Sequence, residues 1–113
     1  MDLGFLRELE DDWDGRGSGA VCEEAIGVAE RIVSEGVLMG WVVVRVNATG
    51  DDGVVCEFRD DGRESGERVL LFEIGEDGDV GVMLRENVWR PRFLDVDVGD
   101  LAGVFSLRLF GYE

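Results

Sequence analysis

The chain has 113 residues, 45% of them hydrophobic, a length and apolar content that fit one domain with one core. Its 26 acidic residues face 11 arginines, with no lysine and no histidine, for a formal charge of -15 and a pI near 4.2. Such a charge repels phosphate and so opposes direct binding to nucleic acid, and the missing histidine removes the commonest general base.

In chain order, Met1-Asp2-Leu3-Gly4-Phe5 lacks the basic region and apolar stretch of a signal peptide, and no apolar run approaches the ~20 residues of a membrane span. A cytoplasmic protein without membrane contact is the expectation, with residues 1–113 as a single domain. Leu3, Leu6, Leu9 and Trp13 recur at helical spacing, which predicts a short amphipathic helix over the first dozen residues. The Gly-rich segment 14–19 ends it. Ser18 then stands as the N-cap of a second helix, with Cys22, Ala25, Ile26, Ala29, Ile32 and Val33 as its apolar stripe and Gly36 as its C-cap.

From Trp41 the period changes to that of strands. Trp41–Ala48 and Val54–Arg59 flank the turn signal Asp51-Asp52-Gly53 and read as a hairpin. After a polar loop over 60–66, Glu67–Ile74 and Asp79–Arg85 read as two more strands joined by Gly75-Glu76-Asp77-Gly78. Alternation puts Val54, Cys56 and Phe58 on one face of their strand and Val80, Val82 and Leu84 on one face of theirs, and between them either Val69 and Leu71 or Leu70, Phe72 and Ile74 face the same way. The strand around Phe72 is apolar on both sides, as a central or helix-covered strand would be. Pro91 breaks the chain, and residues 93–110 carry both strand alternation at 95–98 and helical spacing at Leu101, Val104, Phe105 and Leu109; a further hairpin is the expectation there. The predicted fold is α+β, two N-terminal helices packed on an antiparallel β-meander of four or more strands.

Candidate chemistry is sparse. Asp12, Asp14 and Glu23 occupy positions 1, 3 and 12 of a twelve-residue segment with Gly17 at position 6, the spacing of an EF-hand loop, but Arg16 stands where an oxygen ligand belongs. A chain turn through the glycines accounts for the pattern better. Cys22 and Cys56 each lack a neighbouring Cys or His, so zinc and redox motifs are excluded and two reduced core thiols are expected. Ser18, Ser34, Ser65 and Ser106 have no local base, and paired acids such as Asp60 and Asp61, or Asp95 and Asp97, read as solvated. No catalytic residue, metal ligand or cofactor is expected, and the protein is read as a non-enzyme.

Leu9-Glu10-Asp11-Asp12-Trp13-Asp14-Gly15-Arg16-Gly17 resembles the start of small prokaryotic proteins that carry a Leu-x-x-x-Trp-Asp-Gly-x-Gly motif. The motif spans nine residues, and the layout of helix and Asp-Gly hairpins extends the likeness over roughly the first eighty. The resemblance implies no activity, and the Pro-rich segments expected around the helix of such proteins are missing here.

What remains is the placement of charge. Glu8, Glu10, Asp11, Asp12 and Asp14 cluster near the first helix exit, Asp51, Asp52, Asp60 and Asp61 lie at strand ends and turns, and Glu76, Asp77 and Asp79 surround another turn. Carboxylates two apart on a strand project from one face ~6.6 Å apart, a spacing comparable to that of phosphates along a nucleic-acid strand. These residues are the candidate partner-binding set. The leading expectation is an acidic protein-binding inhibitor that sequesters a basic, nucleic-acid-handling protein by mimicry, of the phage anti-defence or anti-CRISPR kind. The alternative is a housekeeping or operon-partner interaction domain, binding through an apolar patch near Trp41 or Trp89, whose acidity reflects a halophilic or GC-rich proteome.

Overall fold

The computed structural model describes residues 21, 23–49, 53–60, 68–75, 77–85 and 91–110. The expected first helix, Ser18, the EF-hand-like loop over 12–20, Cys22 and the Leu9–Gly17 motif lie outside them. Within them stand helix α1 (Glu23–Leu38) and strands β1 (Val42–Ala48), β2 (Val54–Asp60), β3 (Arg68–Ile74), β4 (Val80–Arg85) and β5 (Arg92–Val96). A 3-10 turn (Val98–Asp100), a short helix α2 (Leu101–Phe105) and a second 3-10 turn (Arg108–Phe110) complete the described chain. The strands pair antiparallel in sequence order, β1-β2-β3-β4-β5, so the α+β meander is present with one strand more than the minimum expected.

Helix α1 follows from its stripe: Ala25, Ile26, Ala29, Ile32, Val33 and Gly36 recur at one-turn intervals and are all buried. Glu23 and Glu24 occupy its first turn, where carboxylates suit the positive end of the helix dipole. The expected C-cap at Gly36 is corrected. Gly36 lies inside the helix, and Gly40, at φ 87°, takes the left-handed position instead. The Trp41 amide donates to the Gly36 carbonyl at 3.0 Å and the Gly40 amide to that of Val37 at 3.1 Å, the paired bonds of a Schellman motif. Gly36 is glycine for space: a Cβ there would lie 2.6 Å from a ring carbon of Phe58 and 2.8 Å from one of Phe105.

The sheet's inner face is apolar throughout. Val54, Cys56 and Phe58, Leu70, Phe72 and Ile74, and Val80, Val82 and Leu84 are all buried, so of the two faces open to β3 the register selects Leu70, Phe72 and Ile74. Phe58, Phe72 and Phe105 form a triangle of ring contacts with centroids 5.1 to 5.5 Å apart, and the Trp41 indole N–H donates to the Phe105 carbonyl at 3.0 Å. α2 is thereby tied to both α1 and the start of β1. β3 is the middle strand, as its two-sided apolar sequence requires.

The expected hairpin over 93–110 is half corrected. Arg92–Val96 does pair with β4, but the chain then turns helical. The Asp97 carboxylate accepts from the Gly99 amide at 2.9 Å and the Asp97 carbonyl from the Asp100 amide at 2.8 Å, which ends the extended run. Leu101, Val104 and Phe105 then bury one helical face together. The segment turns again at Leu107, whose φ of 65° costs a non-glycine residue roughly 1–2 kcal/mol and is offset by burial of its side chain.

Candidate functional site: the outer face of the sheet

Helix α1 and α2 lie against the inner face, so the sheet's second face carries whatever the strands do not need for folding. Register arranges it in rows. At one end, Arg59 of β2 lies opposite Val69 of β3, which lies opposite Arg85 of β4. In the middle row Glu57 lies opposite Leu71, Leu71 opposite Met83 and Met83 opposite Phe93. At the other end Val55 lies opposite Glu73, Glu73 opposite Gly81 and Gly81 opposite Asp95. From β3 to β5 the rows therefore grade from Val69 and Arg85 through apolar Leu71, Met83 and Phe93 to Glu73 and Asp95, while on the β1 side the middle row carries the Arg45–Glu57 ion pair.

The acidic row borders the β3–β4 turn. That turn closes through the Gly75 amide and the Asp79 carbonyl at 2.8 Å, with Gly78 at φ 78°, and it holds Asp77 and Asp79 exposed. The three outer-face acids differ in their partners. Glu57 is held by Arg45 at 3.1 Å, whereas Glu73 and Asp95 are paired with no other described residue. Two uncompensated carboxylates thus stand on either side of Gly81, two strand spacings or about 10 Å apart along the hydrogen-bonding direction. Between them and the middle row lies a depression of about 300 Å³, lined by Leu71, Glu73, Gly81, Met83, Phe93 and Asp95. Its outer wall is Phe93, 70% exposed on the edge strand β5.

Of the expected partner-binding residues, Asp60, Asp77 and Asp79 are described. Asp77 and Asp79 share the acidic end, but Asp60 does not join them. It closes β2 at the opposite end of the sheet, half-buried and in register with Arg68. Glu8, Glu10, Asp11, Asp12, Asp14, Asp51, Asp52, Asp61 and Glu76 lie outside the described residues, as does Trp89. Among described residues no strand carries two carboxylates on one face two positions apart, so a ladder at phosphate spacing is not what the strands present. Asp95 and Asp97 come nearest, and Asp97 is used as the cap of the following turn. No group of three metal-ligating side chains forms among the described residues, and no described helix is long and apolar enough to cross a membrane.

Glu73, Gly81, Met83 and Phe93 were not singled out by sequence as a site. Sequence counting misses by one residue: outward from a turn over Gly75–Gly78 it places Glu73 opposite Val80, and the closure of the turn between Gly75 and Asp79 moves Glu73 opposite Gly81. Trp41, expected beside an apolar patch, is itself buried, but its neighbours Val37, Leu38, Met39, Val42 and Val44 are exposed within an uncharged run from Gly36 to Val44. A bulge in β1 between Val43 and Arg45 turns Val44 outward. Cys56 lies in the core as a free thiol, with burial pushing its pKa up to about 12, which keeps it protonated and chemically quiet. No protein-family model matches the chain, and no curated protein or solved structure matches it either.

Proposed function

We propose that this protein acts by binding a basic protein, with the acidic end of the sheet as the approach surface, and that it sequesters a nucleic-acid-handling protein by competing for its cationic groove. The observation that carries the reading is the grading of the outer face, which leaves Glu73, Asp77, Asp79 and Asp95 exposed at one end. A clustered field of one sign steers a partner of opposite sign and speeds encounter in a salt-dependent way. The contact is pictured as an end-on one, because the strands carry no carboxylate ladder.

Affinity capture from a lysate of the source cell tests the reading. The protein is expected to retain a nucleic-acid-binding protein at moderate salt, and Asp77→Asn with Asp79→Asn to slow association and flatten its salt dependence. Recovery of no nucleic-acid-binding protein would sink it.

A second reading is favoured by the exposed Val37, Leu38, Met39, Val42 and Val44, which make an uncharged surface beside the edge strand β1. On that reading the protein is an interaction domain that docks through apolar area. Leu38→Ser, at a side chain 79% exposed, would then weaken association while salt did little.

A further inference from the structure

We propose that the depression over Gly81 is a seat for one arginine side chain of a protein partner, presented on an extended basic segment. This rests on the basic-partner reading and gives it a point of contact. Three features of the depression match the three parts of an arginine. Its apolar row, Leu71, Met83 and Phe93, offers a track for the aliphatic stem, which prefers to lie on hydrocarbon while its head stays polar. Its acidic row offers two carboxylates on opposite flanks, and a guanidinium, with five donors in a planar fork, can donate to both at once. The exposed Phe93 ring supplies a face on which that plane can stack.

Gly81 makes the seat possible. Every other outer-face position in these rows of β3, β4 and β5 carries a side chain, so the missing one at Gly81 is the gap between Glu73 and Asp95. Folding does not require glycine there: its φ is not positive, and a Cβ would meet nothing nearer than the Leu94 carbonyl oxygen at 3.9 Å. Glycine weakens a strand interior, so its use where a side chain would fit is explained by what the space admits. The absence of a partner for Glu73 and Asp95 among described residues, in a face where Glu57 is already matched to Arg45, points the same way. Lysine suits the seat less, because its compact ammonium spans a shorter gap between two carboxylates than the planar guanidinium fork and has no plane to lay on Phe93.

The test is an NMR titration of the full chain with the peptide acetyl-Gly-Gly-Arg-Gly-Gly-amide and its citrulline counterpart, which keeps the shape and loses the charge. Saturable shifts confined to the Gly81 amide, the Met83 methyl and the Phe93 ring are expected with arginine and absent with citrulline. Gly81→Val should abolish them, and Glu73→Gln with Asp95→Asn should weaken binding at least tenfold; the second variant decides the matter if the first perturbs the fold. A lysine peptide is expected to bind several-fold more weakly, and equal binding would overturn the assignment to arginine. Non-saturating shifts spread over Asp77, Asp79 and other acids, unchanged by Gly81→Val, would overturn the seat and leave the basic-partner reading standing. Failure of an oligoarginine to shift any resonance would remove both.

Discussion

The two faces of this five-stranded sheet are made by the same residues' neighbours and obey different rules. On the inner face the central strands β2, β3 and β4 place nine consecutive inward positions, from Val54 to Leu84, all apolar and all buried. On the outer face the alternate positions of those strands mix Val55, Glu57, Arg59, Val69, Leu71, Glu73, Gly81, Met83 and Arg85, with no single class prevailing and only Val69 buried. The inner face is uniform because any polar group there would lose water without gaining a partner. The outer face is under less of that demand, Val69 being its one buried side chain among the described positions of these strands, and its arginines at one end and carboxylates without a described partner at the other are the order on which the proposed function draws.

The comparison breaks most sharply at its inner side. Phe58 is fully buried, with its ring 5.5 Å from that of Phe72 and 5.1 Å from that of Phe105. Phe58→Ala is expected to cost about 3–5 kcal/mol, through lost transfer energy and the cavity left behind. That is a large part of the ~5–15 kcal/mol typical of a domain, and urea unfolding would measure it.

Cys56, on the same face, gives a pH-dependent test. Its thiol is raised from 9.0 to about 12 in the folded protein, so the folded state holds its proton where the unfolded state has lost it. This contribution to stability is whole below pH 9 and is lost as the pH rises towards 12. In a Cys22→Ser background a thiol reagent at pH 8 should leave Cys56 unmodified until urea unfolds the chain. Modification of the folded protein at the unfolded rate would show that the inner face is open.

Two glycines of α1 sharpen the comparison between buried and exposed surfaces within one element. Gly36→Ala would drive a methyl group against Phe58 and Phe105, and overpacking of this kind costs about 1–3 kcal/mol. Gly27 is exposed and a Cβ there meets nothing within 4 Å, so Gly27→Ala should stabilise by roughly 0.5–1 kcal/mol through helix propensity alone. Opposite shifts in the thermal midpoint would confirm the assignment; shifts of the same sign would contradict it.

The inner side was largely legible in the sequence, since alternation around Cys56 and Val82 fixes both strand and face, whereas the strand around Phe72 is apolar on both sides and only its register with β2 and β4 shows which side is inward. Gly36 misled because a glycine near a helix end reads as a cap, and only the approach of Phe58 and Phe105, from 22 and 69 residues further along the chain, shows that it serves packing. The tail misled for a related reason. Leu101, Val104 and Phe105 have helical spacing, but the helix they form is five residues long and ends at a left-handed Leu107 where no glycine signals a stop. The outer-face depression was the least legible, because Glu73, Gly81 and Asp95 come from three strands and meet only through register. Acidity alone pointed to Asp60 as readily as to Asp77, and the sheet places them at opposite ends.

The smallest stability effect belongs to the residue most diagnostic of the outer face. Phe93 and Phe58 sit in the same sheet, but Phe93 is 70% exposed and packs on no inner-face ring. Phe93→Ala should therefore change stability by no more than about 0.5 kcal/mol, the range of surface substitutions. An aromatic ring left in water on an edge strand gives the isolated protein little and adds a risk of association, and under the proposed arginine seat its contribution is made on binding. With the arginine peptide, Phe93→Ala should weaken binding while Phe93→Tyr, which keeps a ring face, retains it. A substantial loss of stability in Phe93→Ala would instead make Phe93 a structural residue, and the contrast between the two faces would lose its clearest member.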